Sequence, residues 1–211
     1  MSITATTTLP DGYADVPSGR IATVVTTLEM RAPPPARKVP DLPDGIAVRR
    51  VPRPDLDWYR GVFRLVGEPW LWFSRLRLSD AALSRIIHDE KVETWTVSTG
   101  DGDGTSHRDQ GLLELDFRVA GECELAYFGV SPALTGQGIG RYLMSRALAE
   151  AWQRPIERFW VHTCTLDHPS ALGFYIRSGF APIKRQIEIA PDPRLDGTVP
   201  VTDAPQIPIL R

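Results

Sequence analysis

The run Thr135-Gly136-Gln137-Gly138-Ile139-Gly140 lies between an apolar stretch and an amphipathic one, a setting suited to binding phosphate. Glycines let the backbone approach a ligand closely, and the free N–H groups and dipole at a helix start attract an anion. A tight strand-to-helix turn would use the same residues. The commoner nucleotide signatures do not fit, because a dinucleotide fingerprint beginning at Gly136 needs Gly or Ala where Arg141 stands, and no Gly-Lys-Ser/Thr follows. Neither NAD nor ATP is expected.

Glu124 opens the preceding stretch, Glu-Leu-Ala-Tyr-Phe-Gly-Val, and by period-two counting it shares a face with Ala126, Phe128 and Val130. A carboxylate there is expected to be partly desolvated, which raises its pKa toward the range of a general base; a solvated strand-end residue is the alternative. His162, Cys164 and His168 form His-x-Cys-x-x-x-His. Zinc needs three or four ligands, and only Cys123 or a distant His could complete this set, so no metal and no cysteine nucleophile are expected. His162 is held as a reserve proton relay.

The elements that would position these residues follow from periodicity. Ile46–Val51 reads as a strand and Asp55–Leu65 as a helix with Trp58, Val62 and Phe63 at helical spacing. Ser79 is suited to capping a second helix whose stripe is Ala82, Leu83, Ile86 and Ile87. Val92–Thr99 and Leu113–Val119 read as strands flanking a Gly- and Asp-rich loop, Gly100–Asp109, and Glu114, Asp116 and Arg118 form the polar alternation of the second. Glu124–Val130 reads as a central strand and Arg141–Gln153 as a helix with Leu143, Ala147, Leu148 and Ala151 inward. A strand near Phe159–Thr163, a helix from about Ser170 to Ser178 and a strand beyond Phe180 complete an α/β sandwich with a mixed sheet.

Proline marks both ends, at Pro33, Pro34, Pro35, Pro40 and Pro43 and again at Pro191, Pro193, Pro200, Pro205 and Pro208, and these stretches read as extended arms. Ile21–Leu28 is suited to an added edge strand. The expected division is an N-terminal arm over 1–45, one catalytic-type domain over 46–190 and a C-terminal arm over 191–211. The 211 residues, 42% of them hydrophobic, suffice for one buried core with extensions. A net charge of −2 with no basic run argues against nucleic acid. No stretch has the length of a bilayer span, and the Thr-rich start lacks the order of a secretory signal, so a soluble cytoplasmic protein without membrane contact is expected. Cys123 and Cys164 are too few for a disulfide scaffold.

Two segments together resemble the GNAT superfamily of acetyl-CoA-dependent N-acetyltransferases. Its pyrophosphate loop, [Arg/Gln]-x-x-Gly-x-[Gly/Ala], is met at Gly138 and Gly140, with Thr135 departing from it. Its second motif, Asn-x-x-Ala-x-x-x-Tyr-x-x-x-Gly-Phe, is met at Ala171, Tyr175, Gly179 and Phe180, with His168 in the Asn position. Motif-level resemblance covers Glu122–Phe180, and resemblance in element order covers Ile46–Lys184.

The resemblance implies a mixed, mostly antiparallel sheet with helices on both faces, and acetyl-CoA seated between the strand Glu124–Val130 and the strand near Phe159–Thr163. The backbone of Phe128, Gly129 and Val130 would hold the pantetheine, and amides of Gly136, Gln137, Gly138, Ile139, Gly140 and Arg141 the pyrophosphate. His168 would stand where the family's Asn contacts the cofactor arm. Glu124 would deprotonate a primary amine on a small molecule or peptide. Tyr175, with a phenol pKa near 10, would protonate the departing thiolate, whose thiol pKa is about 8.5, unless its role is packing. Trp70, Leu71, Trp72 and Phe73 would form an acceptor wall or ordinary core. The competing class is a non-catalytic acyl-CoA-binding or regulatory module, and a homodimer is a further possibility, with the N-terminal strand as one means of forming it.

Overall fold

The computed structural model describes residues 11–35, 38–39, 41–100 and 107–211. Pro40, the first ten residues and the glycines at 102 and 104 lie outside them, so the expected loop there is untested; the strands on either side reach Gly100 and His107. The chain runs β1 (Arg20–Met30), β2 (Ile46–Arg50), α1 (Leu56–Gly67), α2 (Asp80–Ile87), β3 (Val92–Gly100), β4 (His107–Asp116), β5 (Glu122–Val130), α3 (Ile139–Trp152), β6 (Arg158–Cys164), α4 (Ala171–Ser178) and β7 (Ala181–Pro191). The single sheet has the order β2-β3-β4-β5-β6-β1-β7, antiparallel except for β5 against β6.

Local chemistry sets the helix starts. The Asp55 carboxylate accepts from the N–H groups of Asp57 and Trp58 to open α1, and the Ser79 hydroxyl accepts from Ala82 to open α2. α1 and α2 cover one sheet face through Tyr59, Val62, Phe63, Val66, Leu83 and Ile87. The opposite face packs Leu143, Met144, Ala147 and Ala151 of α3 with Tyr175 of α4 and Phe180 beyond it, against Leu113, Leu115, Leu125, Phe159 and Val161. Fully burying such side chains contributes roughly 1.5–3 kcal/mol each, which makes these two layers the main source of stability.

Three sequence expectations change. β1 forms, but between β6 and β7 rather than at an edge. Glu114 and Asp116 are buried instead of solvent-facing, because α1 and α2 lie over that side of β4. The register of β4 against β5 shifts between Glu114 and Leu115, which face Tyr127 and Leu125, leaving Ala126 as an extra residue in β5. That bulge breaks the period-two count. Cys123, Leu125, Phe128 and Val130 all meet the core on the α3 side, whereas Tyr127 meets the α1 side. Glu124 therefore shares a face with Tyr127 and Gly129, and not with Phe128 and Val130.

The Pro-rich C-terminal segment lies against the domain. Arg194, fully buried, donates to both carboxylate oxygens of Asp192 and to the carbonyls of Asp203, Ala204 and Ile207. Val199 and Ala204 join Ile21, Leu71 and Leu166 in a small third cluster.

Candidate active site

β5 and β6 pair in parallel over only three positions, ending at Glu124 opposite Trp160. Beyond that fork, β5 runs on to Val130 beside β4 while β6 turns away to pair with β1. The β6-facing main-chain groups of Tyr127–Val130 are thereby left without a partner strand, which is where the sequence placed Phe128, Gly129 and Val130. A cleft of about 580 Å³ opens at this point, lined among others by Tyr127, Phe128, Val130, His162, Phe174 and Tyr175. A more open depression of about 710 Å³ lies beside the C-terminal segment and adjoins the cleft through Trp70, Pro132 and Asp167.

The glycine loop stands at one mouth of the cleft, with Thr135 and Gly140 among the lining residues. Gly136 and Gly138 have φ of +83° and +81°, a conformation that side chains disfavour, so the loop needs glycine at both. Gly140 is helical, and a Cβ added there would meet nothing within 4 Å. α3 starts without a side-chain cap or an acidic residue in its first turn. Among the described residues no hydrogen bond occupies the N–H groups of Gly136, Gln137, Gly138, Ile139 or Gly140, whereas those of Arg141 and Tyr142 are bound to the Gly138 carbonyl. Five free donors at a positive helix end make a set suited to an anion. The Arg141 amide is not part of it, and the Thr135 hydroxyl is turned back to the Ser131 carbonyl at 3.3 Å.

Glu124 and His162 meet on the α1-facing side of the fork, Oε1 to Nδ1 at 3.5 Å, with side chains 24% and 50% exposed. The Glu124 carboxylate raises the pKa of His162 by hydrogen bonding and charge, against a smaller opposing effect of burial. The third residue of the His-x-Cys-x-x-x-His pattern points elsewhere: His168 accepts from Ser170 N–H at 3.1 Å and touches Trp70 edge to face. Cys164 is a free, half-buried thiol whose pKa burial raises. Among the described residues no group of three or more His, Cys, Asp or Glu could hold a metal ion.

Tyr175 lies on the other side of the fork, its ring against Phe128, Phe174 and Phe180. Burial raises its pKa, so the phenol stays protonated, and among the described residues its hydroxyl makes no hydrogen bond. Each member of the run Trp70–Phe73 lines the cleft, and Trp72 also packs on Phe63 and Tyr127 as core. Trp72 Nε1 donates to Asp167 at 3.0 Å, tying this segment to the loop after β6.

A buried polar network escaped the sequence reading. Glu114 accepts from Tyr59 Oη at 2.5 Å and from Arg75 at 2.5 Å, and the Arg75 guanidinium lies 5.1 Å from the Tyr127 ring, whose hydroxyl meets Ser74 Oγ at 2.5 Å. It supports the floor of the cleft from the α1 side. The one available signal was Glu114 within a run otherwise rich in leucine.

Residues 105–180 match the model of the acetyltransferase (GNAT) family. The resemblance read from the two motifs is borne out. No curated protein sequence matches. Among solved structures, the chain superposes on a GCN5-related N-acetyltransferase from Sphaerobacter thermophilus with a TM-score of 0.54 and 18% identity, over 83% of this chain and 52% of that one. A tandem GNAT protein from the clavulanic acid biosynthesis pathway gives 0.54 and 17%, over 84% and 54%. An aminoglycoside acetyltransferase from an uncultured soil metagenomic sample gives 0.50 and 15%, over 64% and 88%. The chain spans about half the length of the first two, and at these identities the likeness is one of fold. Among the described residues, no helix is long and apolar enough to cross a membrane.

Proposed function

We propose that the chain is an N-acyltransferase that moves an acetyl group from acetyl-CoA to a primary amine of a small molecule or peptide, by direct attack in a ternary complex. The observation that carries this reading is the set of five unengaged N–H groups from Gly136 to Gly140, in a loop that borders the cleft through Thr135 and Gly140. Such a seat fits a pyrophosphate, and the unpaired β5 edge from Tyr127 to Val130 fits an extended amide-bearing arm. When bound, acetyl-CoA supplies an activated thioester carbonyl. An N–H of the Phe128–Val130 segment is then available to stabilise developing negative charge on that carbonyl oxygen.

Glu124, alone or through His162, accepts the proton of the amine, and Tyr175 donates a hydrogen bond or proton at the departing sulfur. The two groups stand on opposite sides of the fork, which suits a donor and an acceptor arriving from opposite faces. His168 and the Trp70–Trp72 segment border the same cleft and would contact the cosubstrate arm or the acceptor.

The test has two readouts. Calorimetric titration of the chain with acetyl-CoA should give saturable binding, and free thiol should appear when a panel of primary amines is added. Absence of binding by the folded protein would overturn the reading; binding with no thiol release across the panel would favour a regulatory acyl-CoA module, in keeping with Thr135 and His168 at positions where the motifs have Arg or Gln and Asn.

A further inference from the structure

The sheet ends in two unlike edges. β2 has five residues, and its two arginines are tied inward, Arg49 to Asp109 at 2.7 Å and Arg50 to Glu93 at 3.1 Å. β7 has eleven, all exposed except Ala190, and Ile183, Ile187 and Ile189 stand 49%, 52% and 49% exposed. Among the described residues, the side chains of Lys184, Arg185 and Gln186 make no hydrogen bond or ion pair, and Glu188, which borders the cleft, acts on His162 through its charge alone. A long unpaired strand with apolar and unsatisfied charged side chains is a template for another strand. β1 offers no such edge, because β6 and β7 occupy both its sides.

The sequence of β7 is complementary to itself. A two-fold axis normal to the sheet pairs two copies antiparallel; the register of β7 against β1 shifts at Ile183, so it is over the regular stretch Lys184–Pro191 that outward main-chain groups recur at every second residue and paired positions must share parity. Centring the axis on Gln186 sets Lys184 opposite Glu188 twice, with Arg185 opposite Ile187, all within the regular stretch. Moving the centre to Arg185 puts Lys184 against Gln186 and Glu188 against Pro182; moving it to Ile187 puts Lys184 against Ala190 and Glu188 against Gln186. Both shifts lose the opposite-charge pairs. Pro182 and Pro191 lack an N–H and bracket the ladder.

We infer that the chain forms a two-fold dimer in which β7 pairs with β7 of a second copy in the register centred on Gln186, continuing the sheet across the axis. Opposite charges directly across an antiparallel ladder stabilise it, like charges destabilise it, and the aliphatic stem of Arg185 covers half-exposed Ile187 opposite it. This inference is independent of the acetyl-transfer reading.

Sedimentation equilibrium of the full chain tests it, with circular dichroism and thermal melting confirming that each variant is folded. The wild type should dimerise. Lys184→Glu and Glu188→Lys each place like charges opposite one another twice, and each should weaken dimerisation by at least about tenfold. The double variant Lys184→Glu/Glu188→Lys restores both pairs with the signs exchanged and should dimerise again. An equimolar mixture of the two single variants should form a heterodimer, since each then opposes the other's charge. A monomeric wild type overturns the inference, as do a dimer indifferent to the single changes and a double variant or mixture that fails to recover. Indifference would point to another surface, and a monomeric wild type would leave β7 to a different occupant.

Discussion

The Glu124 carboxylate lies 3.5 Å from Nδ1 of His162, at the last position where β5 and β6 are still paired. The contact exists because Glu124 pairs with Trp160 and shares its face, to which alternation on β6 also brings His162; the bulge at Ala126 then sets Tyr127 rather than Phe128 on that side. His162 lines the cleft, and a carboxylate held against its imidazole can exchange roles with it in proton transfer, which it could not do from the opposite face.

His162 should titrate above the ordinary histidine value of about 6.5, because Glu124 stabilises its charged form. The linked stability is present in full below that value and is lost as pH rises through the higher midpoint of the folded state. Two-dimensional NMR of the imidazole protons should report the raised midpoint in the wild type and a fall in Glu124→Gln. An unchanged midpoint in the variant would remove Glu124 as the cause.

The same substitution should lower turnover while leaving acetyl-CoA affinity in place, most strongly below the pKa of the acceptor's ammonium group. Raising the pH should narrow the difference, because more acceptor then arrives deprotonated. A pH–rate profile with one competent amine checks this; superimposable profiles would reject a base role for the pair.

Gly140→Asp is the cleanest probe of the anion seat. Gly140 is helical with open space at its Cβ, so the change adds a carboxylate beside the free amides without the backbone strain that Gly136 or Gly138 would suffer. An acidic residue in the first helical turn also favours the helix. The protein should melt no lower than the wild type yet bind acetyl-CoA at least about tenfold more weakly, by like-charge repulsion. Calorimetry reads the affinity, and equal binding would move the phosphate site elsewhere.

The glycine loop and the Tyr175 helix were legible because their chemistry is local: positive φ demands glycine at Gly136 and Gly138, and Ala171 and Tyr175 stand one helical turn apart ahead of the positive-φ Gly179 that ends the helix. Element order was legible for the same reason, since Ser79 and the stripe of α2 signal themselves within one turn or two. The face of Glu124 was not, because the bulge is settled by pairing with β4, and nothing between Glu122 and Val130 marks Ala126 as the extra residue. The burial of Glu114 likewise depends on α1 and α2 lying over β4, a contact between segments some 50 residues apart, as in the Tyr59–Glu114 hydrogen bond. Alternation reveals two faces and does not say which of them is covered.

Arg75→Ala should destabilise the fold by about 3–5 kcal/mol, since it leaves the fully buried Glu114 carboxylate without its cation. Adding Glu114→Gln removes the stranded charge and should recover part of the loss, so the two changes are strongly non-additive. Urea unfolding of wild type, single and double variants measures the coupling. Additive losses would mean that the pair contributes little as a unit.

Tyr175→Phe should separate catalysis from packing. The ring contacts with Phe128, Phe174 and Phe180 survive in phenylalanine, and the removed hydroxyl makes no hydrogen bond among the described residues, so stability and acetyl-CoA affinity should change little. Burial keeps the phenol protonated, which preserves it as a donor while making complete proton transfer harder. Turnover should fall, within the roughly 10²- to 10⁴-fold range of general acid catalysis, wherever thiolate departure limits the rate. A thioester whose thiol has a lower pKa leaves with less need of a donor, so the gap between the two proteins should shrink with such a donor. Single-turnover kinetics with both thioesters decides the matter: a defect equal for the two leaving groups would assign Tyr175 to positioning, and no defect with either would leave it as core.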